Sequence, residues 1–348
     1  MPNPYTLVFG APPTEVVERT AQAESIISSF DQEVPANPIN LVTGIRGSGK
    51  TVFITGIAER LQKKDNWIIV NLNAQRDMLQ SLAAKLDSNR YLNRIFREAE
   101  INLQAFGIGV GIKGVPSITD IEEALILMLR RIEKEKKHVL ITVDEVTNSK
   151  DMRIFASTFQ IFLRERLPVC LLMTGLYKHI DQLRNADGMT FLERAPRTVL
   201  SPLRYDEMSR KYKETLLIRD DEANRLSALT KGYAFAFQTV GYYAFEFPDD
   251  SSLALEKSKE YLYEFAYRKI RSELSPTDRK VALAIARVPS GEISQIRKLL
   301  GYSTNEFNPY RNRLIKSGVI LGPQPGFVEF ALPWFGEYLQ YAETFDII

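Results

Sequence analysis

The residues best suited to chemistry in this chain lie in one short segment, Gly44-Ile-Arg-Gly-Ser-Gly-Lys50-Thr51. Its three glycines allow backbone conformations in which successive N–H groups point at one anion. Lys50 adds a full positive charge, and the Thr51 hydroxyl is a ligand suited to Mg²⁺. These residue types at this spacing are typical of a loop that binds the β- and γ-phosphates of a nucleoside triphosphate.

The flanking residues predict the elements that such a loop requires. Residues 39–43 are apolar and predict a buried strand, and residues 51–61 continue in a helical pattern. The N-terminus of that helix adds partial positive charge at the phosphates. The predicted nucleotide-binding residues of this segment are Gly44, Arg46, Gly47, Ser48, Gly49, Lys50, Thr51 and Val52.

A second apolar segment ends in two acidic residues. Residues 138–143 predict a strand buried in a parallel sheet, with Asp144 and Glu145 at its carboxyl end. That edge of a parallel sheet is also where a phosphate-binding loop opens. Asp144 is suited to hold Mg²⁺, and Glu145 is suited to polarise an attacking water. With one predicted strand (67–72) between them, the two segments are typical of Walker A and Walker B motifs.

Three later residues have two interpretations each. Thr174 ends the apolar segment 168–174 and either bonds the γ-phosphate or lytic water, or caps a strand within the core. Arg194 or Arg197 is placed either to reach the γ-phosphate of a neighbouring subunit as an arginine finger or to form an ordinary salt bridge.

Composition limits the class of protein. The chain has 348 residues, enough for two or three domains, and a net charge of +2 that predicts no particular partner. Cys170 is the only cysteine, so we expect no disulfide framework and a reducing cytoplasmic environment. The N-terminus lacks the pattern of a secretory signal, and apolar stretches are too short for a membrane span.

The order of segments predicts three domains with the boundaries 1–203, 204–272 and 273–348. In the first, a proline-rich arm leads into a helix over residues 14–30, and glycine-rich residues 106–115 predict a small hairpin or a close-packed insertion. The second is helical throughout. The third contains three helices and a hairpin over residues 319–331, the pattern of a winged helix-turn-helix.

The third domain is locally basic. Residues 276–320 contain eight lysines and arginines against three acids. Arg311, Arg313 and Lys316 lie on its third helix, where a reader of double-stranded DNA places such residues. The alternative is a winged helix that makes only protein contacts, with solvated basic residues.

Several of these segments together resemble AAA+ ATPases. They are the glycine-rich loop, Val-Asp-Glu-Val at 143–146, Met-Thr-Gly-Leu at 173–176, and Thr-Lys-Gly-Tyr-Ala-Phe-Ala-Phe-Gln at 230–238. Within that superfamily, the chain resembles prokaryotic ATPases related to origin-recognition proteins and to signal-transducing STAND NTPases. The resemblance implies an α/β P-loop NTPase with a parallel sheet of order 5-1-4-3-2, a helical lid, a C-terminal winged helix, and ATP and Mg²⁺ as ligands.

The resemblance also implies residue roles. Lys50 and Thr51 bind phosphate and Mg²⁺, Asp144 binds Mg²⁺, Glu145 is the catalytic base and Thr174 is a sensor; with Arg194 as the finger, the predicted catalytic residues are Lys50, Glu145, Thr174 and Arg194. Arg19 takes the place of an arginine that helps to seat the nucleotide. Relatives usually have Gly-Tyr-Pro where this chain has Gly-Tyr-Ala at 232–234 and no arginine, a departure that fits slow hydrolysis or a switch held in one nucleotide state.

Two functional hypotheses follow. In the first, the chain is an ATP-dependent switch whose winged helix engages DNA. In the second, it is a STAND-like signalling or regulatory NTPase whose ATP holds an autoinhibited form and whose winged helix makes only protein contacts, packing internally without touching DNA. A homo-oligomer or another protein is a further candidate partner.

Overall fold

The computed structural model describes residues 2–8 and 13–345. They divide into two compact units. The first, called here the sheet unit, contains Thr20–Thr43 and Lys50–Val199. The other, the helical unit, contains the described residues up to Arg19, the loop Gly44–Gly49 and the chain from Leu200 onward. The division into three domains at 203 and 272 stays a prediction.

The sheet unit is built on five parallel strands. They are β1 (Ile39–Thr43), β2 (Trp67–Asn73), β3 (His138–Asp144), β4 (Val169–Gly175) and β5 (Arg197–Val199). Their spatial order is β2-β3-β4-β1-β5. Taken from the other edge, this is 5-1-4-3-2, so the predicted fold class is confirmed. Asp144 pairs with Asn73, and Thr43 pairs with Gly175, so the carboxyl ends of β1 to β4 lie at one edge.

Seven helices belong to the sheet unit. They are α1 (Thr20–Phe30), α2 (Lys50–Gln62), α3 (Met78–Ser88), α4 (Arg90–Glu98), α5 (Ile121–Lys134), α6 (Lys150–Arg164) and α7 (Tyr177–Arg184). Every residue of β1 and β4 is buried, as expected for central strands covered on both faces. One continuous apolar core joins the strands to the helices.

One local prediction was wrong, and for a second segment one of the two predicted alternatives is observed. The helix predicted over residues 14–30 begins only at Thr20, because the preceding backbone bonds elsewhere: the Glu15 amide donates to the Pro4 carbonyl (3.3 Å), and the Glu15 carbonyl accepts from the Gln238 side chain (2.7 Å). Within residues 106–115 no strand forms. Asn102 closes this segment by donating to the Val115 carbonyl (2.7 Å), so the segment is a packed insertion.

The helical unit contains nine helices and one strand pair among its described residues. They are α8 (Tyr205–Leu216), α9 (Asp220–Thr230), α10 (Ala234–Glu246), α11 (Ser251–Leu262), α12 (Arg268–Glu273), α13 (Pro276–Ala286), α14 (Ile293–Leu300), α15 (Thr304–Ser317), β6 (Ile320–Leu321), β7 (Glu329–Phe330) and α16 (Phe335–Thr344). A π-helical turn, Tyr263–Tyr267, joins α11 to α12. Strands β6 and β7 are antiparallel. We call α13 to α16 with this pair the C-terminal helical domain.

Local sequence explains the ends of these helices. Ser303 accepts from the Glu306 amide while the Glu306 side chain accepts from the Ser303 amide, a capping box that begins α15. Gly318 ends α15 in the left-handed conformation that glycine adopts without strain.

The N-terminal arm is anchored in the core of helices α8 to α10, which we call the lid after the predicted domain. Tyr5 packs against Tyr212 and Phe237, with ring centroids 5.9 Å and 5.7 Å away. A Cβ on Gly241 would lie 2.5 Å from the Tyr5 ring, so α10 has a glycine where the arm packs.

Across the described ranges, no helix combines the length and the apolar character that crossing a bilayer requires.

Candidate active site

The Walker B carboxylate and the Walker A threonine meet within the sheet unit. Asp144 is the last residue of β3, and Lys50 and Thr51 begin α2. The Thr51 hydroxyl donates to Asp144 Oδ2 at 2.6 Å. Val52, also predicted to bind nucleotide, lies in the first turn of the same helix. A hydroxyl and a carboxylate, both hard oxygen donors, are thus side by side.

Glu145 has an unusual backbone conformation. Its φ is +53°, in the left-handed region that costs a residue with a side chain about 1 kcal/mol. Its amide donates to Asp144 Oδ1 (2.9 Å) and to Thr174 Oγ1 (3.4 Å). The next amide, that of Val146, donates to the Thr174 carbonyl (2.9 Å). These bonds hold the strained turn and leave the Glu145 side chain exposed.

Thr174 connects the two acidic residues. It is fully buried, and its hydroxyl donates to Asp144 Oδ1 while accepting from the Glu145 amide. Its observed contacts therefore position the Walker B pair. A contact with the γ-phosphate or the lytic water stays a prediction.

The phosphate loop, Gly44–Gly49, belongs to the helical unit. Gly47 and Gly49 have φ values of +75° and +88°, so both positions favour glycine. The Ser48 amide closes a turn onto the Ile45 carbonyl (3.1 Å). The Ser48 hydroxyl is buried without a hydrogen-bond partner among the described residues. A buried orphan hydroxyl in a glycine-rich turn fits a loop that takes a polar ligand.

Arg46 forms an ion pair within the helical unit. Its guanidinium bonds Glu273 at the end of α12, with distances of 2.9 Å and 3.2 Å, and both side chains are about 30% exposed (31% and 27%). Glu273 therefore competes with a nucleotide for the Arg46 guanidinium.

Arg19 lies against the same loop and has no carboxylate partner among the described residues. It donates to the Ser48 carbonyl (2.9 Å) and the Ser201 carbonyl (2.6 Å). Burial lowers the pKa of Arg19 to about 10. Its Nη1 lies 3.4 Å from where a Cβ on Gly49 would stand. A desolvated cation without a counter-ion is suited to an anionic ligand.

The two arginines proposed as fingers differ. Arg197 stacks on the Tyr177 ring, with 4.7 Å from the guanidinium carbon to the ring centroid. Arg194 is exposed at the end of a short 3₁₀ turn and has no ion pair with any described residue. Arg194 is therefore the better placed of the two to reach another molecule.

The three basic residues of α15 are in different surroundings. Arg313 forms a bidentate pair with Asp278 of α13, the shortest contact being 2.8 Å. Arg311 is half-buried, and its Nε has no hydrogen-bond partner in the described chain. Lys316 is exposed in the last turn. The sequence did not indicate that Arg313 stabilises the domain's own core.

Replacing Arg313 with alanine is expected to lower the free energy of unfolding by about 2 kcal/mol, measured by thermal or urea unfolding. Asp278 is only 5% exposed, and without Arg313 its carboxylate keeps only the Ser275 hydroxyl as a side-chain partner among the described residues. Lys298→Ala, at an exposed position of α14, is the control and should change the free energy by less than about 0.5 kcal/mol. Equal stability of the two variants would contradict this role.

Sequence reasoning also missed Tyr233 and Glu273 as neighbours of the phosphate loop. The Tyr233 hydroxyl donates to the Arg46 carbonyl at 2.7 Å. Burial raises the pKa of Tyr233, so this hydroxyl remains protonated and able to donate. The Gly-Tyr-Ala motif at 232–234 was the one feature of the sequence that could have pointed to Tyr233 as a neighbour of the loop. Nothing in the local sequence distinguishes Glu273 from other helical glutamates.

Comparison with known proteins agrees with this geometry. Residues 19–165 match the family described as an ATPase domain predominantly from Archaea, and residues 264–339 match a domain of unknown function. No curated protein sequence matches the chain.

Two solved structures share the fold. The Walker-type ATPase PABY2304 of Pyrococcus abyssi is 15% identical, with a TM-score of 0.65 over 93% of this chain and 96% of that one. The ORC2 protein of Aeropyrum pernix, in ADPNP–ADP complexes, is 15% identical, with a TM-score of 0.57 over 98% and 97% of the two chains.

The fold and the paired Walker motifs are those of a P-loop ATPase. Residues 19–165 match the ATPase-domain family described above, and the predicted resemblance to origin-recognition-like ATPases is confirmed at the level of the fold.

Proposed function

We propose that the chain is an ATP-hydrolysing switch that couples its nucleotide state to the C-terminal helical domain. The observation that carries this proposal is the bond between Thr51 and Asp144 (2.6 Å), with Glu145 held beside it in a strained turn. In P-loop NTPases a threonine hydroxyl and an aspartate in these positions hold Mg²⁺, and a neighbouring polar residue orients the attacking water.

The oxygen donors of Thr51 and Asp144 suit Mg²⁺, which prefers few protein ligands and retains water and phosphate oxygens. When bound, Mg²⁺ neutralises part of the negative charge of the phosphates. Lys50 and Arg19 supply positive charge to the phosphates. Glu145 accepts a proton from the attacking water, and Thr174 holds Asp144 and the Glu145 backbone in place.

We further propose that the C-terminal helical domain is a winged helix that binds duplex DNA through Arg311 and Lys316, with Arg313 limited by its pairing to Asp278. Support comes from the local excess of basic residues between 276 and 320. Exposed Arg194 supports a finger role toward a neighbouring copy. The pairing of Arg313 and the partial burial of Arg311 favour the second hypothesis, a winged helix with protein contacts only.

Fluorescence anisotropy with a labelled duplex, in saturating ATP and then in ADP, separates the two hypotheses. Two phosphate contacts predict an affinity about tenfold weaker at about 200 mM than at about 50 mM salt. Lys316→Ala should reduce this salt dependence, whereas Lys63→Ala, at an exposed position just after α2, should leave it unchanged. Absence of binding at low salt in both nucleotide states would overturn the DNA proposal and support protein contacts.

A further inference from the structure

Three successive carbonyls of the phosphate loop are bonded from one side by the rest of the helical unit. The Arg46 carbonyl accepts from the Tyr233 hydroxyl (2.7 Å), and the Gly47 carbonyl accepts from the Phe235 amide (3.0 Å). The Ser48 carbonyl accepts from Arg19 (2.9 Å). Phe235 lies in the first turn of α10, where amides lack partners within the helix. The loop thus caps α10, and α10 holds the loop.

Peptide geometry converts these bonds into an orientation of the loop amides. In a planar trans peptide, the N–H points away from the preceding carbonyl. Fixing the carbonyls of residues 46 and 48 therefore aims the amides of Gly47 and Gly49 away from Tyr233 and Arg19. Neither amide donates to an acceptor among the described residues. Successive amides without acceptors in a glycine turn form a nest for anions.

Packing restricts the same loop to this arrangement. A Cβ on Gly47 would lie 2.3 Å from the Tyr233 hydroxyl and 2.9 Å from the Phe235 Cβ, so the lid contacts this glycine directly. Ile45 packs against the core of the C-terminal helical domain, near Gly318. Arg46 is paired with Glu273 at the end of α12. The loop is therefore positioned by the lid, by α12 and by the C-terminal helical domain.

We propose that Tyr233 is a positioning residue for nucleotide binding: its hydroxyl fixes the Arg46–Gly47 peptide so that the loop amides are aimed at the phosphates before ATP arrives. This inference rests on the proposed ATP site and assigns part of its affinity to the lid. By linkage, a loop stabilised by the lid stabilises the lid in return when nucleotide binds. Nucleotide state then reaches the C-terminal helical domain through Tyr233, Ile45 and the Arg46–Glu273 pair.

The test is calorimetric titration of the full-length protein with ADP and with ATP, comparing Tyr233→Phe with Tyr212→Phe. Tyr212 is a matched control, because its buried hydroxyl donates to the Phe237 carbonyl (2.8 Å) in the same lid and does not contact the loop. Tyr233→Phe should bind both nucleotides about fivefold more weakly, the loss of one neutral hydrogen bond. Tyr212→Phe should bind as the wild type does, with a comparable loss of thermal stability.

Equal affinities of Tyr233→Phe and the wild type would overturn the inference, and so would tighter binding by the variant. A second variant, Glu273→Gln, breaks the partly exposed pair with Arg46 and should weaken binding about threefold; an unchanged affinity would also count against the inference. The wild type and Lys50→Ala distinguish a failure of the ATP site from a failure of the role of Tyr233. If the wild type binds no nucleotide, the ATP site itself fails; if Lys50→Ala alone loses binding, only the role of Tyr233 fails.

Discussion

Replacing Lys50 with alanine is expected to weaken ATP binding roughly 100-fold and to abolish turnover, because it removes a charge-assisted bond to phosphate. Between Gly44 and Thr51 the only other cation is Arg46, and Glu273 already pairs with it. No second side chain of the loop can therefore replace Lys50. Calorimetric titration with ATP and a phosphate-release assay measure the two effects.

Lys63→Ala is the matched control for Lys50→Ala. Lys63 is exposed immediately after α2, the helix that Lys50 begins, so its removal takes away one charge without touching the loop. It should change ATP affinity by less than about twofold. Retention of wild-type affinity by Lys50→Ala would contradict the assignment of the loop as the phosphate site.

Glu145→Gln is expected to lower ATP turnover about 1,000-fold while ATP affinity stays near that of the wild type. The amide keeps the size of the side chain but cannot accept a proton from water. The turn itself should persist, because it is held by the Glu145 and Val146 amides and by Thr174. Phosphate release under saturating ATP, with affinity measured separately, distinguishes lost chemistry from lost binding.

Glu59→Gln, an exposed acid on α2, controls for the change of charge and should keep full turnover. If Glu145→Gln turned ATP over at the wild-type rate, another group would have to be the base. If ATP binding were lost as well, the substitution would have disturbed the turn.

The sheet and the Walker elements could be predicted because their signals are local. The loop is a continuous octapeptide, and Asp144 and Glu145 directly follow a buried strand. The resemblance then supplied the strand order, which β2-β3-β4-β1-β5 confirms. The bond between Thr51 and Asp144 follows from both residues lying at the carboxyl edge of one parallel sheet.

The surroundings of the loop depend on distant residues and could not be predicted in this way. Tyr233 is 187 residues from Arg46, and Glu273 is 227 residues from it. No helical pattern shows which residue of a lid will bond a remote carbonyl. The start of α1 was misplaced for a related reason, since Glu15 bonds to the lid and to Pro4 in place of continuing the helix.

Arg313 lies on a correctly predicted helix, but its ion pair within the domain was not predicted. The helix α15 was expected, and its basic residues suggested a DNA surface. Charge counting could not show that buried Asp278, on another helix, takes the Arg313 guanidinium. The pairing with Asp278 thereby limits Arg313 as a residue to test for DNA contact.

The measurement that tests the switch most directly is amide hydrogen exchange of the full-length protein in two nucleotide states. The Glu145→Gln variant saturated with ATP represents the state before hydrolysis. The same variant and the wild type, each saturated with ADP, represent the state after hydrolysis. We predict that amides in the first turn of α10 and in α15 exchange more slowly in the ATP state than in the ADP state. Identical exchange of both helices in the two states would contradict coupling between the nucleotide and the C-terminal helical domain.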